Sequence, residues 1–213
     1  MANHIDSLRK WRIYHDDFKA IMGPGAAIEL LLQIDDERAS KDHLGQLGVQ
    51  ISKITLGTSG EPTTIEKIDC DLIHMANGGV RYDDGILFCA QGSSTRPSGL
   101  FKMQASAPFH TEPVLTGYLR TPFNAVNDVV VHQDGSIWFT DPSYGHDQGY
   151  RPHPSLPNAV YRYDPASGSI RAVADSFEQP NSICFSPDGT TVYVTDTDQV
   201  RGPCVDYGRA ASI

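Results

Sequence analysis

Three stretches of this chain repeat one pattern at a spacing of about 50 residues, and no other feature limits the available folds as strongly. Each stretch begins with an asparagine: Asn77, Asn127 or Asn181. Asp-Gly stands at the seventh and eighth positions after each asparagine, and an apolar run follows. Because Asp-Gly between two apolar runs is typical of a hairpin turn, each repeat is predicted to open with two antiparallel strands.

The rest of each complete repeat supplies two more strands, which alternating apolar residues predict. They cover 99–104 and 111–118 after Asn77, and 159–164 and 169–176 after Asn127. Four antiparallel strands in a repeat of about 50 residues are typical of a β-propeller blade.

Half-blades flank the two complete blades. Residues 50–56 and 64–70 alternate as strands do and match the last two strands of an earlier blade. The Asn181 repeat supplies two strands, and 210–213 is expected to begin a third. The predicted fold class is therefore all-β, an incomplete propeller arc of two full blades and two half blades.

The predicted domain boundaries follow from this arc. Residues 1–48 form an N-terminal segment with a short helix over 25–34 and without the first-blade hairpin, and 49–213 form the partial propeller. Closed propellers have about four to eight blades, so we expect the chain to be incomplete relative to the fold it encodes. An open arc exposes blade faces and strand edges, which predicts self-association.

Charge and cysteine content exclude several classes of partner and compartment. The formal net charge is -9 and no Lys/Arg cluster stands out, which argues against nucleic acid and anionic membrane as partners. The first residues contain no apolar h-region and no stretch of the sequence reaches membrane-spanning length, so neither a secretory signal nor a membrane span is expected. Three of the four cysteines lie in apolar, strand-like runs and are interpreted as buried free thiols, and the predicted compartment is cytoplasmic.

The second and third repeats carry a family resemblance. The sequences "NDVVVHQDGSIWFTDPSYG", "RPHPSLPNAVYRYDPASGSIRAVAD" and "PNSICFSPDGTTVYVTDTD" resemble the SMP-30/gluconolactonase/LRE-like family, and most of all its fungal lactonohydrolase branch. The resemblance covers roughly residues 49–201. It implies a six-bladed propeller of the lactonase type with one divalent cation, usually Ca²⁺, in its central channel. It also implies hydrolysis of small-molecule lactones of sugar acids or related hydroxy acids.

Site residues are carried over by position within the matching motifs. Asn127 matches the asparagine of the family's Asn-Asp motif, Asp128 the acid beside it, and Asn181 the asparagine of its Pro-Asn-Gly motif, which here reads Pro180-Asn181-Ser182. The resemblance thus implies Asn127 and Asn181 as metal ligands. It gives Asp128 and Asn127 catalytic roles, and Asn127 and Asn77 contact with substrate.

Structural interpretations of these residues stay open. Asn77 can serve as a turn cap. Asp128 follows Asn127, so strand geometry points its side chain the other way, and structural anchoring is an alternative to catalysis. Asp141 and Asp196 each follow a threonine in their repeats, and this recurrence favours anchoring over catalysis.

The family pattern is also incomplete. A metal-binding Glu is expected on the first-blade hairpin, which the sequence lacks, and a later Asp is expected beyond residue 213. Neutral asparagines alone predict weak cation binding and impaired or absent lactonase activity. The alternative hypotheses are a catalytically inactive fragment or binding isoform, and a related six-bladed hydrolase or synthase with another substrate.

Overall fold

The computed structural model of the chain describes residues 49, 51–56, 62–198, 200–201, 204–205 and 211–212. Within these ranges the secondary structure is β-strands and one short helix, α1 (Tyr144–Asp147), which confirms the predicted all-β class. The helix predicted over 25–34 and the whole segment 1–48 lie outside the described residues. No helix of the described part is both long and apolar enough to cross a bilayer.

The first two strands form a hairpin of their own. β1 (Ile51–Leu56) and β2 (Pro62–Ile68) make a two-stranded sheet, as the alternation over 50–56 and 64–70 predicts. Lys53–Glu66 belong to one compact unit, and the chain from Lys67 onward belongs to another.

Two four-stranded antiparallel sheets follow in the second unit, each with its strands in chain order. The first complete sheet contains β3 (Ala76–Tyr82), β4 (Gly85–Ala90), β5 (Gly99–Gln104) and β6 (Thr111–Leu115). The second complete sheet contains β9 (Val129–Val131), β10 (Ile137–Asp141), β11 (Ala159–Asp164) and β12 (Ser169–Ala174). Between them lies the small hairpin of β7 (Gly117–Tyr118) and β8 (Thr121–Pro122). A sheet of four antiparallel strands that neighbour one another in chain order is typical of a propeller blade.

The third sheet has three strands in the described part of the chain. It contains β13 (Pro180–Phe185), β14 (Val192–Thr197) and β17 (Ala211–Ser212). A separate hairpin of β15 (Val200–Arg201) and β16 (Cys204–Val205) lies between β14 and β17 in the chain. β17 pairs with β14, which confirms the strand expected to begin within 210–213.

The Asp-Gly turns form as predicted in two of the three repeats. Gly135 and Gly189 have φ angles of 83° and 71°, the left-handed conformation that glycine adopts without steric cost. The first repeat differs, because Tyr82 pairs with Gly85 and the turn is Asp83-Asp84, with Asp83 at φ 51°. Gly85 is already in β4, where a Cβ atom would lie 2.2 Å from the Met103 carbonyl oxygen. That glycine therefore allows a close strand approach and does not form the turn.

The core lies between the two complete sheets and is rich in aromatic side chains. The Phe139 and Tyr161 rings stack with centroids 5.4 Å apart, and Phe123 meets Phe139 edge-on at 5.2 Å. Cys89 is fully buried in this core, as predicted. The interpretation of Cys184 as buried is wrong: it is exposed on β13, because strand alternation turns it away from the buried Ile183.

Candidate functional site

Each of the three repeat asparagines lies at a β-bulge. The register of β3 against β4 shifts between Ala76 and Gly79, and that of β13 against β14 shifts between Pro180 and Ile183. At Asn127 the backbone N–H donates to the Thr140 carbonyl, while the Thr140 N–H donates to the Asp128 carbonyl, each at 3.0 Å. Two residues thus oppose one in all three places. A bulge re-aims side chains, which is why bulges often border functional sites.

The three bulges are joined to one another by hydrogen bonds across the sheets. The Gly78 N–H donates to the Asn127 carbonyl at 2.8 Å. The Thr140 hydroxyl donates to the Asn181 carbonyl at 2.7 Å and accepts from the Asp128 N–H at 3.1 Å. These bonds bring the backbones of Asn77, Asn127 and Asn181 together, and we call these three residues the asparagine cluster.

Asn127 is the most enclosed member of the cluster. The residue is 4% exposed, yet its side-chain amide forms no hydrogen bond with any described residue. The buried side-chain atoms without a hydrogen-bond partner in the described part belong to His74 and Gln179, so the Asn127 amide is not an enclosed orphan, but it is also not committed to any described residue. The Asn127 amide is therefore a candidate ligand-binding group.

Asn181 is half-buried and has one end of its amide engaged. Its Nδ2 donates to the Thr197 hydroxyl at 3.2 Å and to the Tyr144 hydroxyl at 3.4 Å. Within the described ranges, no donor bonds to Oδ1. The Asn181 carbonyl-type oxygen is consequently available to a cation or a substrate hydroxyl.

Asn77 differs from its counterparts because its side chain is exposed. Its strand passes close to the neighbouring bulge: a Cβ atom at Gly78 would lie 2.4 Å from Asp128 Oδ1 and 2.8 Å from the Asn127 carbonyl oxygen. Gly78 is thus the residue that permits this approach. The substrate-binding role of Asn77 stays a prediction.

Both carboxylate oxygens of Asp128 accept backbone hydrogen bonds. Oδ1 accepts from the Val129 N–H at 2.9 Å, and Oδ2 accepts from the Ile183 N–H at 3.0 Å. The second bond ties β9 of the second complete sheet to β13 of the third sheet. This geometry favours the anchoring alternative for Asp128, and its catalytic role stays a prediction.

Asp141 and Asp196 fix the segments that lead into Asn127 and Asn181. Their carboxylates accept pairs of consecutive backbone N–H groups, Asp141 from 124 and 125 at 3.0 and 2.8 Å, and Asp196 from 178 and 179 at 3.0 and 2.7 Å. These bonds confirm the anchoring interpretation. Burial raises the pKa of Asp141 to about 7, against the lowering effect of the two N–H donors.

The threonine before each of these aspartates has a role that sequence reasoning missed. The Thr140 hydroxyl accepts from the Asp128 N–H, and the Thr195 hydroxyl accepts from the Ser182 N–H at 2.9 Å. In both repeats the donor is the residue directly after the asparagine. The recurrence of Thr-Asp in the sequence was the signal that could have revealed it.

The oxygen donors present suit a hard cation only in part. Among the described residues, no group of three His, Cys, Asp or Glu side chains could hold a metal ion. The amide oxygens of Asn127 and Asn181 are neutral oxygen ligands of the kind that Ca²⁺ accepts. They fit such an ion but supply no charge to it.

Comparisons with known proteins agree with the fold. The family model described as SMP-30/Gluconolactonase/LRE-like region matches residues 62–210. Lactonohydrolase oryL of Aspergillus oryzae is 31% identical over 205 residues, covering 84% of this chain and 45% of that protein. Gluconolactonase of Zymomonas mobilis is 32% identical over 95 residues, covering 40% of this chain and 24% of that protein.

Solved structures share the fold. The structure of a gluconolactonase from Xanthomonas campestris superposes with a TM-score of 0.57 at 24% identity, covering 76% of this chain and 53% of that one. The chain thus spans about half the length of this structure and of the Aspergillus relative.

Proposed function

Because the chain belongs to the SMP-30/Gluconolactonase/LRE-like family, we propose that the whole protein hydrolyses lactones of sugar acids or of related small hydroxy acids. Relatives named lactonohydrolase and gluconolactonase support the reaction class. The structural observation that carries the proposal is the asparagine cluster, whose three bulges are joined by hydrogen bonds and whose Asn127 amide and Asn181 Oδ1 are not committed to any described residue. A ligand at the asparagine cluster would contact these two amides.

The reaction opens a cyclic ester. The oxygen of a water molecule bonds to the lactone carbonyl carbon, the ring C–O bond breaks, and the leaving oxygen takes a proton to give a hydroxy acid. The family generally uses a divalent cation, and we propose that the Asn127 and Asn181 amide oxygens help to hold it, with Ca²⁺ as the expected ion. When bound, the cation would polarise the lactone carbonyl as a Lewis acid.

The other cluster residues have supporting roles in this proposal. Asp128 holds the bulge of Asn127 against β13, since both of its oxygens already accept backbone N–H groups. Asn77 lies at the exposed side of the cluster, where it could contact substrate hydroxyls. Asp128 is accordingly proposed as a positioning residue.

We also propose that the 213-residue chain by itself binds the cation weakly and hydrolyses lactones slowly. Carboxylates dominate Ca²⁺ affinity, and among the described residues no group of three His, Cys, Asp or Glu side chains could hold the ion. The second candidate is a binding protein without turnover. In the Asn181 amide, Nδ2 is hydrogen-bonded and Oδ1 is free of any described partner, and a group held in this way suits ligand binding as well as it suits catalysis.

The test is hydrolysis of glucono-1,5-lactone by the full chain, followed by pH-stat titration above the spontaneous rate, with CaCl₂ or with EDTA. We expect a rate that rises with CaCl₂ and falls at least tenfold in Asn127→Ala and Asn181→Ala. Unchanged hydrolysis in both variants would refute the assigned site. Calorimetric binding of the lactone without hydrolysis would favour the binding protein.

Compartment and self-association remain part of the proposal. The described cysteines Cys70, Cys89 and Cys184 are free thiols, which suits a reducing cytoplasm. Leu119 and Tyr193 are 75% and 48% exposed, and such apolar surface suits self-association. Analytical ultracentrifugation of the purified chain would measure its association, and a monomer at all concentrations would contradict it.

A further inference from the structure

Helix α1, which lies between β10 and β11 in the chain, is docked against the start of β13. The Gln179 side chain is 1% exposed, and its Nε2 donates to Ser143 Oγ at 3.0 Å and to Asp147 Oδ2 at 2.6 Å. Gln179 stands two residues before Asn181. The helix is therefore fixed to the strand that carries one of the candidate ligand groups.

This docking places the Tyr144 hydroxyl beside the Asn181 side chain. Tyr144 is 5% exposed, and its hydroxyl forms a short hydrogen bond with the Thr197 hydroxyl. Asn181 Nδ2 donates to both hydroxyls, so the three groups close a triangle. A phenol hydroxyl ordinarily has a pKa of about 10, so it carries its proton through the neutral range.

Counting hydrogens distinguishes the two possible orientations of the Asn181 amide. Each hydroxyl carries one hydrogen, and one of the two hydroxyls donates to the other. With Nδ2 facing them, one N–H is shared between the two hydroxyl oxygens, and each contact pairs a donor with an acceptor. With Oδ1 facing them, only one hydroxyl hydrogen is left to serve both contacts. One hydroxyl oxygen would then face Oδ1 with no hydrogen between the two atoms. The triangle therefore favours the orientation with Oδ1 turned away from it.

We infer that Tyr144 is a positioning residue that, together with Thr197, holds the Asn181 amide so that Oδ1 is presented as an oxygen ligand. What Oδ1 then binds rests on the proposed function, with a divalent cation as the expected partner. Tyr144 touches Asn181 and is not required to touch the cation or the substrate itself.

The first measurement is CaCl₂ affinity by calorimetry on the full chain. We expect Tyr144→Phe to weaken binding by about tenfold, as loss of a partner that orients a metal ligand commonly does. Tyr150→Phe is the matched control, because the half-buried Tyr150 donates its hydroxyl to Gln91 Oε1 at 2.7 Å and makes no bond to the cluster. It should change affinity less than twofold.

A double-variant cycle separates positioning from direct contact. If Tyr144 acts through Asn181, Tyr144→Phe costs nothing further in an Asn181→Ala background. A full additional loss there would mean that Tyr144 acts on the ligand directly, and would overturn the inference. Equal affinities of wild type and Tyr144→Phe would overturn it as well.

A second readout does not depend on the cation. The Asn181 side-chain NH₂ protons, observed by ¹⁵N NMR, should exchange with water more slowly in wild type and Tyr150→Phe than in Tyr144→Phe. If the wild type binds no Ca²⁺, the cation part of the proposed function fails, and this exchange rate alone decides the inference. Unchanged exchange in Tyr144→Phe refutes it. Should that variant not fold, Thr197→Val against Thr197→Ser tests the same triangle.

Discussion

Asp128 Oδ2 accepts a hydrogen bond from the Ile183 backbone N–H, 3.0 Å away, and this bond joins two neighbouring sheets beside the asparagine cluster. The other oxygen of the same carboxylate accepts from the Val129 N–H. The position next to Asn127 is thus occupied by a residue whose acceptors are both in use. The sheets and their candidate site are held by the same side chain.

Asp128→Asn is expected to destabilise the fold by about 1–3 kcal/mol, because either amide orientation sets an NH₂ group against a backbone N–H. Urea unfolding followed by circular dichroism measures the loss. Asp164→Asn is the control: its carboxylate accepts within one exposed turn, from Ala166 and Ser167, and joins no sheets. It should cost less than Asp128→Asn.

The same variant separates the two interpretations of Asp128. If the residue only positions the bulge, folded Asp128→Asn keeps measurable lactone hydrolysis under conditions where the wild type shows it. Complete loss of hydrolysis in a variant that remains folded and still binds Ca²⁺ would restore the catalytic role predicted from the sequence.

The strands were predictable because their determinants are local. Strands β5 and β11 have the bounds predicted from apolar alternation, 99–104 and 159–164. The bulges were not predictable, since they depend on cross-strand bonds such as those between Asn127, Asp128 and Thr140. The contact between Tyr144 and Thr197 joins residues 53 positions apart, and no periodic pattern encodes it.

Thr140→Val removes a fully buried hydroxyl and leaves the volume of the side chain nearly unchanged. The Asn181 carbonyl and the Asp128 N–H both lose their partner, so we expect a loss of about 1–3 kcal/mol in unfolding free energy. Thr195→Val is the matched control, because its hydroxyl accepts only from the Ser182 N–H, within one sheet. Equal losses for the two variants would contradict a bridging role for Thr140.

Asp141 gives the fold a pH dependence of defined sign. Its folded pKa of about 7 lies above the ordinary 3.8, so the native state binds more protons than the unfolded state between these values. The contribution of this group is full below 3.8 and is lost as pH rises through 7. The stability of wild type relative to Asp141→Asn should therefore fall from pH 4 to pH 7.

Asp188 supplies the control for this pH dependence. Hydrogen bonds from Ser186 and Thr190 lower its pKa to about 2, so its contribution is present above 3.8 and is lost as pH falls through 2. The difference in unfolding free energy between wild type and Asp188→Asn should therefore not change from pH 4 to pH 7. A flat or rising difference for Asp141→Asn in that window would show that the two N–H donors outweigh burial.

Arg151 holds several loops together through hydrogen bonds, and its replacement is expected to lower the stability of the fold. Its guanidinium donates to four backbone carbonyls, at 2.7 to 2.9 Å: those of Ser93, Arg96, Phe123 and Asn124. Arg151→Met removes all four bonds, and we expect at least about 1.5–3 kcal/mol of lost stability, since donors that carry charge form the stronger bonds. Arg151→Lys should be nearly as damaging, because an ammonium cannot span the fork of acceptors.

Arg162→Met is the control, since Arg162 makes a partly exposed ion pair with Asp134 at 3.1 Å, worth about 0–1 kcal/mol. Thermal and urea unfolding of the three variants would rank them. If Arg151→Lys were as stable as wild type, charge alone would account for the role of Arg151. If Arg151→Met lost no more unfolding free energy than Arg162→Met, water would replace the guanidinium at the four carbonyls without cost. The loops before Asn127 would then not depend on Arg151.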